Sequence, residues 1–364
     1  MSGKFLMAIK HNYTPFMKFK TNEVAGLSVI EGPLQAELGP FFDLPRKNGM
    51  SQAEYLESVA ACRKKADKYL QNFAHLYIDC FDIPDSIATP GKPNCRAIIE
   101  AFDGMRYVPV LGLDRAADHN AAILTAKRAG EIKSHFAAIR FQHDDFSSFD
   151  LIEDELTDLV SEAIKDFGSL TFVYDCRVCL ASNRSKLAND IASFATAAAS
   201  RLGIDQHIVT GSSVPATITD IARPSDESVI ARAELEIFHA AHAVLDGKLL
   251  SLGDYTIVSP TYSELTIAPE LMLSVTAPKV FYTFENYHYI ARGGRIKTEG
   301  YGQYDSIAEE IVGKSFFRGA PYSWGDNFIK MRADGHRDKN VTPSTILKPT
   351  ICAHITYMAT HYPA

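Results

Sequence analysis

The sequence predicts an α/β protein, a (β/α)8 barrel of the TIM type that carries a C-terminal extension. Short apolar runs recur along the chain, and longer segments with apolar residues three and four positions apart lie between them. The runs are almost continuously hydrophobic, which is typical of parallel strands covered on both faces. Strands that alternate with helices form right-handed parallel crossovers, and eight such units close most naturally into a barrel.

Eight short runs supply the strands of this barrel. In chain order they are Phe5–Lys10, Leu27–Glu31, Leu76–Cys80, Tyr107–Leu113, Ala137–Phe141, Leu170–Asp175, Gln206–Thr210 and Tyr255–Ser259. An open doubly wound sheet is the main alternative, and it usually carries a glycine-rich turn after its first strand. Here that turn reads IKHNYTPF and has no glycine, so the sequence favours the closed barrel.

Amphipathic segments between the strands predict the helices that cover the barrel. Ser51–Tyr69 begins with Ser51 and Glu54 at the spacing of a capping box. The other helices are predicted at Asn94–Phe102, Ala121–Ser134, Asp150–Phe167, Lys186–Leu202 and Glu227–Leu245. The first crossover, Asn12–Gly26, is too short and irregular to predict a helix.

The pattern changes after the eighth strand. Lys279–Ala291 alternates and is rich in aromatic residues, and Gly293-Gly294 follows it, which together predict a β-hairpin or a strand pair. Three further helices are predicted at Tyr304–Val312, Ser323–Ala333 and Thr345–Met358. We therefore expect residues 1–276 to form the barrel and residues 277–364 to form an extension packed on it.

Composition argues against several classes of protein. The chain of 364 residues has a formal charge of −7 and a pI near 6.0, so it has no general attraction for nucleic acid or anionic membranes. Its first ten residues contain an apolar run of only five, too short for the core of a signal peptide. No apolar stretch reaches the roughly 18 residues that a membrane-spanning helix needs. We expect a cytoplasmic protein without a membrane partner, and the sequence leaves its oligomeric state open.

Cys176 and Cys179 form a C-x-x-C motif, which serves elsewhere in redox chemistry or as half of a zinc site. A second close Cys/His pair to complete a tetrahedral zinc site is missing from the sequence. The motif also lies at the end of a predicted strand and not at the start of a helix. We interpret both cysteines as buried thiols in a reducing compartment.

In a (β/α)8 barrel the functional residues lie at the carboxyl ends of the strands. Charged side chains at the predicted strand ends converge on one opening, and the candidates are Lys10, Glu31, Asp79, Arg140 and Asp175. Buried isolated charges are costly, so these groups must pair, stay hydrated or serve a ligand. One interpretation is a structural ring of ion pairs. The other is catalytic, with the carboxylates as ligands of Mg²⁺ or Mn²⁺ or as general acid and base.

Two further chemistries are compatible with single residues at the same opening. His143, together with His11, fits a phosphodiesterase-like centre, but the paired His–Arg and Glu-x-Asp arrangement of the glycerophosphodiester enzymes is absent. Lys10 superficially resembles the pyridoxal lysine of alanine-racemase-like barrels, although no glycine follows Tyr13. A lysine at a strand end is more often an ion-pair partner than a Schiff-base nucleophile.

Two other segments are candidates for ligand binding. Gly211, Ser212 and Ser213 follow the seventh strand, where backbone N–H groups often cradle a phosphate, although Gly-Ser-Ser is equally a turn. The extension interleaves aromatic rings and cations, a combination that stacks bases and neutralises phosphates. These residues are Tyr282, Tyr287, His288, Tyr289, Arg292, Arg295 and Lys297. The same pattern is typical of a strand pair with one face on the barrel and an amphipathic outer face.

Several segments together resemble the Beta protein family, which occurs in bacteria, phages and prophages. They are the opening strand with Lys10, VIE at Val29–Glu31, GDY at Gly253–Tyr255 followed by Pro260, FYTFENYHYIARGG at Phe281–Gly294 and FFRGAPYSWGDNFI at Phe316–Ile329. The resemblance spans the whole chain and implies a barrel-like protein in mobile-element or phage-defence surroundings, without an established reaction. Matched residue by residue, the family's charged strand ends correspond to Lys10, Glu31, Asp79, Arg140 and Asp175. The family usually continues from the lysine into a Gly-Glu pair, which HNYTP at His11–Pro15 replaces here.

These observations support two hypotheses from different classes. The first is a barrel that binds or acts on a phosphorylated or nucleotide-like small molecule at its mouth. The second is a non-catalytic effector or sensor in the conflict between phage and host. It would bind a phage or host protein, or a nucleic acid, through the aromatic and basic residues of its extension. Whether the protein is an enzyme stays open at this point.

Overall fold

The computed structural model describes residues 11–87, 91–116, 118–245, 250–262, 272–337 and 340–362. The strands within these residues are β1 (Thr14–Lys18), β2 (Phe41–Asp43), β3 (Tyr77–Asp79), β4 (Val108–Leu111), β5 (Phe136–Gln142), β6 (Ser169–Val178), β7 (His207–Ser212), β8 (Asp226–Ala231), β9 (Leu250–Asp254), β10 (Lys279–Phe284) and β11 (Tyr287–Arg292). Eight of them pair in parallel and close into a barrel, in the order β1-β2-β3-β4-β5-β6-β7-β9. The (β/α)8 fold predicted from the sequence is confirmed.

Helices connect the strands and cover the outside of the barrel. They are α1 (Thr21–Leu27), α2 (Gly32–Gln35), α3 (Gln52–Tyr69), α4 (Cys95–Ala101), α5 (His119–Arg128), α6 (His143–Phe146), α7 (Phe149–Asp166), α8 (Arg184–Ala197), α9 (Ala233–Val244), α10 (Met272–Val275), α11 (Ile296–Glu299), α12 (Gln303–Val312), α13 (Trp324–Ala333) and α14 (Leu347–His361). The predicted capping box starts α3, where Ser51 Oγ accepts the Glu54 N–H and the Glu54 carboxylate accepts the Ser51 N–H. Among the described helices, none is both long enough and apolar enough to cross a membrane.

The predicted strands between residues 76 and 210 each overlap a barrel strand, β3 to β7. The predicted first strand, Phe5–Lys10, lies outside the described residues. The first barrel strand in the structure is β1, which lies in the segment that we predicted as an irregular crossover. Its sequence, TPFMK, contains a proline and ends in lysine, so the apolar run is too short to stand out.

Two other strand predictions are wrong. Leu27–Glu31 is the end of α1 and the turn before α2, and β2 is the second barrel strand. Tyr255–Ser259 follows β9, and Thr256 has a φ of 56°, which turns the chain out of strand geometry. The helix predicted at Glu227–Leu245 is also wrong in its first part, because β8 precedes α9 there.

Aromatic rings fill the inside of the barrel. Phe16 stacks on Phe41 with ring centroids 4.3 Å apart, and Phe41 stacks on Tyr77 at 5.4 Å. The remaining buried residues of this inner core are Val108, Val110, Ala138, Val173, Ile208 and Tyr255. The interior is therefore packed, as in other barrels of this class, and a ligand has room only at the ends.

A second, antiparallel sheet lies beside the barrel, in the strand order β10-β11-β8. The hairpin predicted within Lys279–Ala291 is confirmed as β10 and β11, and the turn between them holds Glu285 at a φ of 43°. Residues of α12 and α13 pack on one face of this sheet, and α14 packs against both β10 and α1. The division of the chain at residue 276 stays a prediction, and the sheet takes β8 from residues 226–231.

Candidate ligand site at the barrel mouth

Charged side chains meet at the carboxyl end of the barrel. Lys18, Asp43 and Asp79 are the last residues of β1, β2 and β3, and parallel pairing sets them side by side. Arg140 on β5 and Asp175 on β6 reach the same place. Together with the residues that contact them, they form a cluster that we call the mouth network: Lys18, Asp43, Asp79, Asp82, Arg115, Arg140, Asp175, Arg177 and Tyr255.

Arg140 lies at the centre of the mouth network and is fully buried. Its Nη1 donates to Asp43 at 2.6 Å and to Asp79 at 2.8 Å. Its Nη2 donates to Asp175 at 2.6 Å and to the Tyr255 hydroxyl at 2.7 Å. The planar guanidinium thus holds three carboxylates at once, which a lysine ammonium could not do with the same fixed geometry.

The outer part of the mouth network consists of ion pairs nearer the solvent. Lys18 contacts the carboxylate of Asp82, and Arg177 Nη2 lies 3.2 Å from the other oxygen of Asp82. Arg115 Nη2 lies 2.8 Å from Asp79. Arg177 is the most accessible of these side chains, with 21% of its side chain exposed.

The ring of Phe81 lies among three guanidinium groups of the network. Their central carbons are 4.5 Å (Arg140), 4.9 Å (Arg115) and 5.1 Å (Arg177) from the ring centroid, within the range of cation–π attraction.

Four cations face four carboxylates in the network: Lys18, Arg115, Arg140 and Arg177 against Asp43, Asp79, Asp82 and Asp175. The network therefore neutralises itself.

Electrostatics keep these groups ionised. Burial alone would raise the pKa of Asp43, but the neighbouring Arg140 and Lys18 lower it overall. The same balance, with Arg140 again the main cation, lowers the pKa of Asp175. Burial opposes the charge on Lys18, yet Asp43 and Asp82 raise its pKa. The charges on Asp43, Asp175 and Lys18 thus depend on their partners.

Three residues predicted at strand ends, Asp79, Arg140 and Asp175, come together in the mouth network. Lys10 lies outside the described residues. Glu31 is exposed on the turn before α2, away from any strand end, because the predicted second strand does not form. Lys18 and Asp43 fill the places at the ends of the first two barrel strands. The catalytic role assigned to the predicted residues stays a prediction.

The two histidines of the phosphodiesterase alternative lie at opposite ends of the barrel. His11 precedes β1 and is buried beside His75 and Tyr77. His143 follows β5, and its Nε2 lies 2.9 Å from the carboxylate of Asp190. Because parallel strands all start at one end and finish at the other, these two side chains cannot form one centre.

The Gly-Ser-Ser segment is closely packed. Gly211 and Ser212 are the last residues of β7, and a Cβ at Gly211 would lie 2.4 Å from Cys179 Sγ, so this position requires glycine. Ser212 Oγ donates to a backbone carbonyl at 3.1 Å, and Ser213 Oγ donates to Glu234 at 2.6 Å. Both hydroxyls thus bond within the protein, and their role toward a ligand stays a prediction.

Tyr287 and Arg292 lie at the two ends of β11. Tyr287 is 40% exposed and stacks on Phe284, with centroids 5.7 Å apart. Arg292 Nη1 donates to the carbonyl of Ala222 at 2.8 Å. Three other rings of the same predicted surface are buried, namely Tyr282, His288 and Tyr289. Those three rings are unable to stack on a base.

Within the described ranges, no group of three or more His, Cys, Asp or Glu side chains could hold a metal ion. Cys176 and Cys179 are both buried and free of disulfides. Hydrogen bonding with Cys176, together with burial, raises the pKa of Cys179 well above its ordinary value. Its thiolate is disfavoured, which is the opposite of what redox or zinc chemistry requires.

Two cavities of about 350 Å³ each lie at the mouth. One, which we call the lysine cavity, is lined by Lys18, Lys20, Glu23 and Lys279 and by apolar side chains from the loop after β7, the segment after β9, β10 and α14. The other, the aspartate cavity, lies at the ends of β3 and β4. Its polar lining consists of Arg46, Asp82, Asp85, Asn94, Asp114, Arg115 and His119.

A second polar cluster lies behind β9, between the barrel, the second sheet and α14. Arg232 donates to Asp254 at 2.6 Å and to Glu234 at 2.9 Å, and His354 Nε2 lies 3.0 Å from Asp254. On its other side, His354 Nδ1 lies 2.7 Å from Thr283 Oγ1 on β10. We call this cluster the tail network, and its members are Tyr13, Arg232, Glu234, Asp254, Thr283, His288 and His354.

Sequence reasoning missed Lys18 and Asp43, although a shared signal precedes both. Each follows two apolar residues that come directly after a proline, in PFMK and PFFD. Such four-residue patterns are too short to be recognised as buried strands by hydrophobicity alone. Asp82, Arg115 and Arg177 lie just beyond predicted strand ends, but their pairing depends on the fold.

Comparison with known proteins gives one extensive match. A family model described as Beta protein matches residues 13–360, nearly the whole chain. A search of curated proteins gave no significant match. The family match covers every barrel strand and the second sheet.

Proposed function

The chain belongs to the Beta protein family, and on this premise we propose that it is a phage-associated barrel that binds a phosphorylated or nucleotide-like small molecule at its mouth. The observation that carries the proposal is the composition of the lysine cavity. Three ammonium groups, those of Lys18, Lys20 and Lys279, line a space that holds one carboxyl group, that of Glu23. Because Lys18 is paired with Asp43 and Asp82, the excess positive charge comes from Lys20 and Lys279, and a concave site with such an excess favours an anion.

The position of the lysine cavity supports a phosphate in particular. It lies between the end of β1, the loop after β7 and the segment after β9, which is the eighth barrel strand. The loops that follow the last two strands of (β/α)8 barrels are common phosphate sites. Lys18 keeps its proton because Asp43 and Asp82 outweigh the effect of burial on its pKa.

The remaining walls of the lysine cavity suit an organic group attached to the phosphate. Val214, Ile257 and Phe281 supply apolar surface, and Ser259 and Thr261 supply hydroxyls. A volume of about 350 Å³ lies at the lower end of the range for small-molecule sites, roughly 300–1,000 Å³. We assign no reaction to this site, because the mouth network beside it is neutral and internally paired.

We place the protein in the cytoplasm and in the setting of phage infection or antiviral defence, which the family suggests. The alternative, an effector that binds a protein or nucleic acid through its C-terminal residues, has less support. Tyr282 and Tyr289 are buried, and Arg292 is bonded to a backbone carbonyl. Tyr287 and Trp324 are exposed rings that an alternative of this kind would use.

Thermal-shift measurements with inorganic phosphate and a panel of nucleotides test the proposal. A ligand at 100 times its Kd stabilises the native state by about 2.7 kcal/mol, enough to detect. We expect stabilisation of the wild type, and we expect the double variant Lys20→Ala/Lys279→Ala to lose it. Both positions are exposed, so the variant should fold.

The matched control is Lys64→Ala/Lys165→Ala, at exposed positions on α3 and near the end of α7, both outside the cavity. It removes two positive charges, as the cavity variant does, and should leave the ligand response unchanged. Equal loss in the control and in the double variant would mean that net charge, and not the lysine cavity, governs binding. No response from the wild type to any probe would remove the proposal.

A further inference from the structure

The lysine cavity and the aspartate cavity share a wall in which two direct contacts join a residue of one cavity to a residue of the other. Lys18, which lines the first, contacts Asp82, which lines the second. Beside this ion pair, the backbone N–H of Arg46 donates to the Tyr262 hydroxyl at 3.0 Å, again one residue from each cavity. Groups in the two cavities would therefore lie only a few bonds apart.

The two cavities carry opposite charge. The lysine cavity has three cations and one carboxyl group. The aspartate cavity has three carboxylates, on Asp82, Asp85 and Asp114, and two guanidinium groups, those of Arg46 and Arg115. Arg115 binds Asp79 outside the cavity and lies 3.4 Å from Asp114, and Asp82 pairs with Lys18 and Arg177. Asp85 is exposed, and Asp114 has a quarter of its side chain exposed, so a ligand can reach both carboxylates.

Neutral acceptors add to the carboxylates of the aspartate cavity. Asn94 is 5% exposed, and its amide nitrogen donates to two backbone carbonyls, while its Oδ1 has no hydrogen-bond partner among the described residues. His119 Nε2 lies 3.0 Å from the Val110 carbonyl and must donate there, which leaves Nδ1 as an acceptor. Burial lowers the pKa of His119 and keeps the imidazole neutral. A group that donates several hydrogen bonds suits such a cavity, and an ammonium suits it best.

We infer that the two cavities form one bipartite site for a zwitterionic ligand, a phosphate ester that carries an amine a few bonds from its phosphate. The phosphate occupies the lysine cavity, and the ammonium occupies the aspartate cavity. Lys18 and Asp82 exchange their mutual ion pair for the two charges of the ligand, so no charge is left without a partner. This inference rests on the proposed phosphate site and specifies its ligand class.

Titration calorimetry on the full chain with two matched probes tests the inference. Ethyl phosphate supplies the phosphate alone, and O-phosphoethanolamine supplies the same phosphate with an amine. Because the amine adds one charge-assisted contact, we expect O-phosphoethanolamine to bind about tenfold more tightly than ethyl phosphate. The double variant Asp85→Asn/Asp114→Asn should lose this preference and keep its affinity for ethyl phosphate.

Asp158→Asn, at an exposed position on α7, is the control and should keep the preference. Asp82→Asn should also lose the preference for O-phosphoethanolamine. If that variant does not fold, the result for Asp85→Asn/Asp114→Asn still tests the inference. Equal affinity of the wild type for the two probes would overturn the inference and leave the phosphate site standing. Failure of both probes to bind would overturn the inference together with the proposed function.

Discussion

The mouth network and the tail network each place a fully buried arginine between carboxylates, but in the described part of the chain the lysine cavity and the aspartate cavity border the mouth network and not the tail network. Arg140 and Arg232 are both completely inaccessible to solvent. Around Arg232, the carboxylate partners Asp254 and Glu234 are 1% and 3% exposed. Around Arg140, the network continues outward to Arg177, whose side chain is 21% exposed, and to the two cavities.

Buried ion pairs therefore do not by themselves identify a ligand site. In the tail network, α14, β9 and β10 enclose the polar groups, and the bonds of His354 to Thr283 and Asp254 fix the position of α14. At the mouth, the same chemistry holds Lys18 at the edge of a cavity. Two walls of the lysine cavity, β10 and α14, belong to the elements that the tail network secures.

The largest expected effect comes from removing either buried arginine. Arg140→Met leaves the carboxylates of Asp43, Asp79 and Asp175 without their shared cation, and loss of one partner from a buried pair costs about 3–5 kcal/mol. Arg232→Met should lower the unfolding free energy by a similar amount, because Asp254 and Glu234 lose their shared cation. Urea unfolding monitored by circular dichroism measures both. A loss below 1 kcal/mol in one variant would show that the two networks differ in energy as well as in access.

A second prediction concerns Glu23 in the lysine cavity and alkaline pH. Burial raises the pKa of this carboxyl to about 7, although Lys20 and the Lys18 backbone N–H oppose the shift. Because its pKa is raised, the protonated Glu23 carboxyl contributes its full stability below the ordinary glutamate pKa of about 4.5. This contribution is lost as the pH rises through 7. Glu23→Gln, which keeps the shape without the charge, should be more stable than the wild type at pH 8 by roughly 1–3 kcal/mol.

The difference in unfolding free energy between the wild type and Glu23→Gln should vanish near pH 4.5. Urea unfolding at pH 4.5, 6 and 8 measures this difference. A constant difference across this range would mean that Glu23 does not change its protonation state over it.

The tail network should respond to pH in the opposite direction. Burial lowers the pKa of His288 well below its ordinary 6.5, helped by Arg232 and His354. The unfolded chain therefore takes up a proton near pH 6.5 that the native state refuses, and stability falls as pH drops below that value. His288→Asn should reduce the slope of unfolding free energy between pH 5 and 6.5 by up to about 1.4 kcal/mol per pH unit. An unchanged slope in the variant would contradict a neutral buried imidazole at this position.

A cap variant outside both networks should have the weakest effect and serves as a control for loss of stability. Ser51→Ala removes the cap of α3, which belongs to neither network, and such a loss costs about 1 kcal/mol. The variant should keep the wild-type pH dependence and the wild-type response to phosphate probes. If it weakened binding as much as the cavity variants do, loss of stability alone would explain their effect.

Five barrel strands and the C-terminal hairpin were predictable because each carries a long apolar or alternating run. The strands β1, β2 and β9 were not, and the reason is physical. Proline precedes the apolar pair in β1 and β2, and a Gly-Asp pair ends β9, so none of them presents a continuous hydrophobic stretch. Closure of the barrel compensates for their weak local preference: β2 pairs with β3, β9 pairs with β7, and β1 is held between β2 and β9.

The residues of the candidate site were predictable only where the sequence pattern located the strand that carries them. Asp79, Arg140 and Asp175 end strands that the pattern located, and these three meet in the structure. Lys18 and Asp43 end strands that it missed. The two cavities depend on loops, on β10 and on α14, and no rule of spacing brings Lys279 beside Lys18.

The position of β8 links the two halves of the chain. This strand lies between β7 and α9 in sequence, yet its backbone pairs with β11, more than fifty residues later. A fragment that stopped after the barrel would keep β8 and lose its partner, exposing a row of unbonded N–H and C=O groups beside Val229, which is already half exposed. Such an edge recruits other strands, so the barrel on its own would tend to self-associate and would be a poor unit for recombination between proteins.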